Sequence, residues 1–418
     1  MRNRTLIALL VAEAVSSTGS AMTFVALPWF VLSTSTPLHM SVVLAVEILP
    51  LALFGIPSGA VVQRLGARRS MLVADLVRAP LVALVPVLYW SGNLSYGVLL
   101  VIVFLLGCFT APYLASQRTV IPEVLGDDET LVAKASGLFG GASQLPIVIG
   151  PAIAGALIAL FGAPSLLFVD ALTFLFAFAT VLVFVQAGKP VRADEESRGL
   201  LAGVRYLTRD RLLGPLALTI IVLDGAANAL AVAVPLLAYT RYDRDAYVAG
   251  WIFTGFGVGA VIGSLLVVKL LDRIAPLRLA CIGMVCVTLP LWVIVFPVSW
   301  PVVAAAIVLC GLCVPLINAP MMGLLTTRPP EALRAKVMTA VLTASGIGAP
   351  VGRLLVGPVY HAYGNAGVWI GIAGGMTIGA ALFVAVAVRG SAGDASDVAA
   401  MATVAHGEAE PLADAARV

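Results

Sequence analysis

Apolar runs long enough to cross a lipid bilayer recur along the whole chain, and they constrain its fold more than any other feature. Charged residues make up 11% of the sequence, whereas a soluble domain has roughly 25%. About 20 apolar residues in a helix cross a hydrocarbon core of roughly 30 Å. The sequence therefore predicts an all-α membrane protein with twelve spans, at residues 5–33, 39–62, 70–90, 95–117, 136–160, 165–187, 212–240, 247–270, 276–297, 300–324, 337–361 and 364–388.

The first apolar run could be either a cleaved signal peptide or a retained helix. Arg2 and Arg4 precede the run, as they would in a signal peptide. Glu13 interrupts it, however, and apolar character continues to Leu32, far beyond the hydrophobic region of a signal. We therefore expect a retained first span.

The positions of Lys and Arg predict the orientation. Outside the spans they fall in segments on the same side as the N-terminus, except for Arg241 and Arg244. Because cytoplasmic loops carry the excess of basic residues, both termini are expected in the cytoplasm. Arg also outnumbers Lys, which favours a GC-rich bacterial genome and hence a bacterial inner (cell) membrane. The net charge of +3 then reflects topology, and no nucleic-acid partner is expected.

The two halves of the chain repeat at an offset of 207 residues. Pro28 matches Pro235, Pro122 matches Pro329, and the Gly-Pro pair at 150–151 matches that at 357–358. A parallel repeat predicts two six-helix bundles related by an axis along the membrane normal. The predicted units are a first half at 1–187, a cytoplasmic linker at 188–211, a second half at 212–388 and a disordered tail at 389–418.

Span five contains a set of glycines and prolines with the spacing G-x8-P-x3-G-P-x2-A-G. It resembles the antiporter motif in the fifth helix of exporters of the major facilitator superfamily, in which Pro146 and Ala154 would both be glycine. That resemblance implies export. The matching positions are Gly137, Gly150, Pro151 and Gly155, with Pro146 at one of the two departures.

The loop between spans two and three resembles the superfamily signature G-x3-D-R-x-G-R-R. The resemblance implies a latch, whose arginines hold the inward face shut by pairing with acids. A basic loop required by topology alone is the alternative. Gln63 stands where the family has Asp. The residues of this loop motif are Gly59, Gln63, Arg64, Gly66, Arg68 and Arg69.

Further short segments, at residues 27–29, 118–123, 168–174 and 330–336, resemble the branch of the superfamily that contains macrolide-efflux and enterobactin-exporter proteins. Many drug–proton antiporters carry an arginine inside span four, but here Arg118 lies only at the end of that span. In this family spans one, four, seven and ten line a central cavity. The resemblance thus places four residues on the cavity wall: Glu13, Asp224, Asn228 and Asn318.

Two acids within the spans are candidates for the transport chemistry. An ionisable residue at mid-bilayer costs roughly 2.5–3.5 kcal/mol and needs a partner, a water-filled cavity or a function. Asp224 lies about 12 residues into span seven, roughly 18 Å deep, and Asn228 follows one turn later. We expect Asp224 or Glu13 to bind a proton and a substrate cation alternately. The alternative is a structural acid bonded to a neighbouring helix.

Other charged residues in the spans have more local interpretations. Glu47 could contribute either a gate contact or coupling, and Asp75 with Arg78 is expected to form a structural pair three residues apart. Structural capping or a gate contact is favoured for Asp170. Arg353 lies deep in span eleven and should pair with an acid that the sequence does not identify.

The sequence as a whole predicts a secondary transporter that exports hydrophobic or amphiphilic small molecules, such as drugs or natural products, in exchange for protons. It shows no Walker A motif and no zinc-type His cluster, so no cofactor or metal is expected. We expect a monomer in the bilayer. The alternatives are a dedicated metabolite or siderophore exporter, a nutrient uptake facilitator and, more remotely, a transport-dead sensor or membrane enzyme.

Overall fold

The computed structural model describes residues 2–125, 129–185, 200–210 and 213–414, which form twelve α-helices. Most of the predicted linker, residues 188–199 and 211, lies outside the described residues. The helices are α1 (Arg2–Thr34), α2 (Pro37–Leu65), α3 (Ala67–Trp90), α4 (Tyr96–Leu125), α5 (Glu129–Phe161), α6 (Ala163–Phe184), α7 (Leu200–Arg209), α8 (Leu213–Arg241), α9 (Ala246–Leu271), α10 (Pro276–Val295), α11 (Trp300–Thr327) and α12 (Glu331–Asp414).

Within the described residues these helices supply twelve membrane crossings, as predicted. Eleven stretches are long and apolar enough to span, and the last of them covers 44 residues, from Gly346 to Arg389. A straight helix of that length would measure about 66 Å, twice the thickness of the hydrocarbon core. Gly364 divides it, because its φ of 64° and ψ of −164° break the helix in a conformation that favours glycine.

The surface of these helices is suited to lipid. Leu160, Val183 and Leu265 are each about 70% exposed, which would be costly in water but not in a bilayer. The sequence predicts a disordered tail at 389–418, whereas α12 continues as a helix to Asp414; residues 415–418 lie outside the described residues. Alanine has the highest helix propensity, and it is the commonest residue of that stretch.

The helices pack as two bundles that meet along two crosswise contacts. Helices α1 to α6 pack among themselves, and so do α8 to α12. The bundles touch most extensively where α2 packs against the part of α12 before Gly364, and where α5 packs against α9. The sequence repeat relates α2 to α9 and α5 to that part of α12, so the two contacts are counterparts.

Both contacts lie toward one end of the molecule, which we call the closed end; it contains the α1–α2, α5–α6 and α8–α9 turns. A Cβ added at Gly155 would lie 2.7 Å from the carbonyl oxygen of Ala246, and one at Gly357 would lie 2.8 Å from the Cα of Leu38. At the opposite end, which we call the open end, a Cβ at Gly59 or Gly137 would meet no described heavy atom within 4 Å. The bundles therefore diverge from the closed end toward the end that carries the N-terminus.

Candidate functional site

A cavity of about 710 Å³ lies between the two bundles, below the closed end. Its first wall comes from α1, α3, α4 and α5, and its second wall from α8, α9, α11 and α12. The first wall is rich in hydroxyl, amide and charged groups, and its polar members are Glu13, Ser16, Ser17, Ser20, Arg78, Thr110, Tyr113, Gln117, Ser143 and Gln144.

Glu13 is the centre of the first wall. Its side chain is buried, and four donors from three helices converge on its carboxylate. Oε1 accepts hydrogen bonds from Ser17 at 2.6 Å, Gln117 at 2.8 Å and Ser143 at 2.9 Å, while Oε2 accepts one from Tyr113 at 3.2 Å. These donors stabilise a carboxylate in an apolar bundle, where no described cation forms an ion pair with it.

The network follows from helical spacing. Glu13 and Ser17 are one turn apart on α1, as are Tyr113 and Gln117 on α4, so each pair shares a face. Sequence reasoning identified Glu13 but missed the four donors. Polar residues at four-residue spacing inside apolar spans were the available signal. Because hydroxyl and amide donors are neutral, a cationic ligand or a proton can compete for the carboxylate.

Arg78 lies beside this network and has its own acid. Its guanidinium donates to Asp75, three residues earlier, and both side chains are buried. The same guanidinium stacks over the rings of Tyr113 and Phe174, at 4.0 and 4.3 Å from their centroids. The pair lies on one helix, so motion between the bundles would not separate it.

Asp170 is buried away from the cavity, at the contact between α6 and α1. Thr23 donates to its Oδ2 at 2.6 Å and Thr173 donates to its Oδ1 at 3.1 Å. Gly19 faces both Asp170 and Thr173, where a side chain would collide with them. The geometry is that of a contact holding two helices of one bundle together.

The second wall is mostly apolar. Phe253 and Phe256 of α9 contribute its largest side chains, together with aliphatic residues of α8 and α11. Asn228 and Arg353 are its polar members. The amide of Asn228 donates to the Asp224 carboxylate at 3.2 Å and to the Asp224 carbonyl at 3.1 Å.

Two residues expected on the cavity wall are not among the residues that line it. Asp224 lies one turn from Asn228, toward the open end, and is half-buried beside α12. Asn318 is exposed; it follows the lining residue Ile307 by about three turns, roughly 16 Å along α11. The expectation placed both by span alone, whereas the depth of each residue along its span decides whether it reaches the cavity.

Arg353 finds its acid in the other bundle. Its Nη1 donates to Glu47 Oε2 at 3.3 Å and to the carbonyl of Leu44 at 3.1 Å, both on α2. Its side chain is 9% exposed and that of Glu47 is 34% exposed. The ion pair therefore crosses the contact between the halves, within reach of the cavity.

The glycine-rich motif of α5 lies at helix contacts. Gly150 faces Ala21 of α1, and Gly155 faces Gly250 of α9, with 3.2 Å between its added Cβ and the Cα of Gly250. Pro146 and Ala154, the two departures from the family pattern, are buried. Pro151 also approaches Gly250 through its carbonyl and lines the cavity. Small residues there let the two bundles approach backbone to backbone.

The loop between α2 and α3 makes its described contacts within the first bundle. Arg68 donates to the Leu182 carbonyl at 3.0 Å and to that of Val185, at the end of α6. Gly66 turns the chain with a φ of 83°. Gln63, Arg64 and Arg69 are exposed.

An acid that sequence reasoning did not single out supports this loop from α4. The backbone amide of Ala67 donates to both carboxylate oxygens of Glu123, at 3.1 and 3.0 Å. The acid thus neutralises the positive end of α3. Burial raises the pKa of Glu123, and the hydrogen bond from Ala67 partly offsets this effect.

Two six-helix bundles around a central cavity that opens at one end define a multi-pass membrane transporter, and not an enzyme. The sequence matches the family described as transmembrane secretion effector, within the major facilitator superfamily, over residues 1–415. The chain belongs to that family, as its motifs predicted.

Related proteins agree with this classification. The chain is 28% identical over 378 residues to the multidrug efflux pump Tap of Mycolicibacterium fortuitum, covering 86% of this chain and 90% of that one. It is 25% identical to Tap of Mycobacterium tuberculosis (strain ATCC 25618 / H37Rv), covering 85% and 87%.

Solved structures show the same fold. The nucleoside transporter NupG superposes with a TM-score of 0.78 at 12% identity, covering 91% of this chain and 98% of that one. A bacterial homologue of the lysosomal transporter Spinster, in an inward-facing conformation, superposes with a TM-score of 0.69 at 13% identity, covering 93% and 96%.

Proposed function

We propose that this protein exports amphiphilic small molecules that carry a positive charge, in exchange for protons, as a multidrug efflux pump. The observation that carries the proposal is the position of Glu13, a buried carboxylate held by neutral donors opposite an apolar wall. A cationic head group would bind at Glu13 while an aromatic or aliphatic body packs on Phe253 and Phe256. The names of the related efflux pumps support this assignment.

The orientation proposed from the basic residues gives the cavity its direction. With both termini in the cytoplasm of a bacterial inner membrane, the open end faces inward. A substrate in the cytoplasm or inner leaflet would then have access to Glu13. The cavity forms within one chain, so we propose a monomer as the working unit.

The exchange at Glu13 requires no covalent chemistry. Binding of the cation releases a proton from Glu13 to the cytoplasm, and the bundles rock so that the cavity opens outward. A proton from outside then replaces the cation, and the protonated site returns. We assign this exchange to Glu13 and not to Asp224, because Glu13 is the acid among the described lining residues.

The motifs would support the rocking motion. Gly150, Pro151 and Gly155 allow α5 to approach its neighbours closely at the moving contact. In the inward-open state Arg68 is bound within its own bundle. We propose that the exposed Arg64 and Arg69 become available for pairing with the second bundle when the inner side closes.

The test is transport by the purified protein in liposomes that have an acidic lumen and contain pyranine. Ethidium, an aromatic cation, is added outside. We expect ethidium to accumulate while the lumen becomes alkaline, and Glu13→Gln to lower both rates about 100-fold, because a charge-assisted contact is lost. Asp272→Asn is the control, since it neutralises an exposed acid outside the cavity and away from the loop between α2 and α3.

Two results would contradict the proposal. Ethidium accumulation at an unchanged rate in Glu13→Gln would remove Glu13 from the exchange. Ethidium movement without a change in pyranine fluorescence would leave export in place and exclude proton antiport.

A further inference from the structure

Within the described part of the chain, the ion pair of Arg353 with Glu47 joins the two bundles. We propose that Arg353 is a positioning residue that exchanges between two carboxylates. It pairs with Glu47 while the closed end is shut, and with Asp224 of its own bundle when that end opens. The exchange accompanies the motion of the two bundles and involves no transported molecule, so it does not depend on the proposed substrate.

The pairing with α2 depends on both bundles being in contact. Arg353 donates through Nη1 to Glu47 and to the Leu44 carbonyl. Both acceptors belong to the first bundle and would move away with it. The Nε of Arg353 is buried and has no hydrogen-bond partner among the described residues. The guanidinium is therefore incompletely satisfied at its present site and retains a donor for a second acceptor.

The second carboxylate lies on the helix that stays with Arg353. Helix α12 packs backbone to backbone on α8, where a Cβ at Gly348 would lie 3.0 Å from the amide nitrogen of Gly225. A Cβ at Gly352 would collide with the carbonyl of Gly225. Asp224 precedes Gly225 in the chain, and Arg353 follows Gly352. The two charged residues therefore lie at the same level of the contact between α8 and α12. The charge of Asp224 already acts on Arg353.

Opening of the closed end makes the exchange necessary. An unpaired guanidinium inside the bilayer is strongly unfavourable, and removing one member of a buried pair is costly because the other charge remains. Asp224 travels with Arg353, because α8 and α12 belong to the same bundle. The guanidinium thus keeps a counter-ion in both states, and the identity of that counter-ion differs between them.

The test measures the balance between the two states without substrate. Nitroxide labels at Ser91→Cys and Ser299→Cys, exposed positions at the closed end of either bundle, report its opening by pulsed electron spin resonance. The background is the full chain with its five native cysteines replaced: Cys108, Cys281, Cys286, Cys310 and Cys313. Detergent and lipid nanodiscs would both be measured.

The two acids should act in opposite directions. Glu47→Gln removes the partner of the shut state, so we expect the ratio of short to long distances to fall about tenfold. Asp224→Asn removes the partner of the open state, so the same ratio should rise about tenfold. Asp272→Asn removes an exposed acid of the second bundle as a control and should leave the distances unchanged.

A structural role for these acids would not give opposite shifts. Equal shifts in the same direction, or no shift in either variant, would overturn the exchange. If Glu47→Gln fails to fold, Glu47→Asp keeps the charge but shortens its reach and should shift the ratio in the same direction by a smaller factor; a shift toward the shut state would contradict the proposal. If Glu13→Gln loses ethidium transport but leaves the distances between the labels unchanged, the carboxylate exchange of Arg353 is independent of the substrate site.

Discussion

The two walls of the cavity differ in chemistry although they come from halves that repeat in sequence. The first wall surrounds Glu13 with hydroxyl and amide donors, whereas the second presents Phe253, Phe256 and aliphatic side chains. A polar network imposes distances and angles on what it binds. An apolar wall accepts many shapes, because the hydrophobic effect is not directional. In the proposed function, the first wall therefore recognises the charge of a substrate and the second wall accommodates its shape.

The largest effect should come from making the first wall resemble the second. Gln117→Leu with Ser143→Ala removes two donors from the Glu13 carboxylate but keeps the acid. We expect coupled transport at neutral pH to fall about 100-fold, because the Glu13 carboxylate loses two of the four donors that hold it. Pyranine fluorescence and ethidium accumulation in the same liposomes measure this loss.

Gln144→Leu is the control for that pair. Gln144 lines the cavity beside Ser143 but is not among the four donors to Glu13. Equal losses in the control and in the double variant would show that the polarity of the wall, and not the network at Glu13, determines transport.

The next effect concerns the apolar wall. Phe253→Ala with Phe256→Ala removes two rings that a substrate body would contact. We expect the KM for bulky aromatic cations to rise about tenfold, while small cations such as tetramethylammonium change little. Phe176→Ala removes an exposed ring of α6 outside the cavity and controls for stability. A uniform loss for all substrates would contradict a role in accommodating shape.

A smaller effect is expected at the amide of the second wall. Asn228→Leu removes a polar group that already donates to Asp224. In competition experiments, this variant should bind substrates that carry a hydrogen-bond acceptor about threefold more weakly. That factor is the contribution of one neutral hydrogen bond. A loss as large as that of Glu13→Gln would mean that the apolar wall also recognises polar groups.

The smallest effect is predicted for the cysteines of α11. Cys310 and Cys313 are buried thiols in the apolar core of the second bundle, and within the described residues no metal-binding cluster includes them. Replacing both with Ala should change transport by less than about twofold, because each substitution removes a small buried group that does not line the cavity. Strong zinc or oxidant sensitivity that disappears in this variant would contradict the interpretation as packing residues.

The spans and the motifs could be predicted from the sequence, because hydropathy and glycine spacing are local properties. The separation between spans eleven and twelve falls at Gly364, where the helix breaks. The buried acid Glu13 was also visible, as a charged residue in an apolar run. These features need no knowledge of which helices touch.

The partner of Arg353 could not be predicted, because Glu47 lies 306 residues away. A single sequence fixes the depth of each residue in the bilayer but not the neighbours of its helix. Asn318 has a different explanation: the expectation used its span alone, although its depth along α11 puts it beyond the lining residues. The converging donors of Glu13 depend on three helices meeting, so they too required the structure.

The close approach of Gly155 and Gly250 has a consequence for the energy of the cell. Where two backbones touch, there is no room for a file of water molecules, and the closed end insulates the membrane against ion leakage. A larger side chain at either position would hold the bundles apart while the other end stands open. The protein would then dissipate the voltage and proton gradient that the membrane maintains. The two glycines thus help the cell to keep its membrane potential.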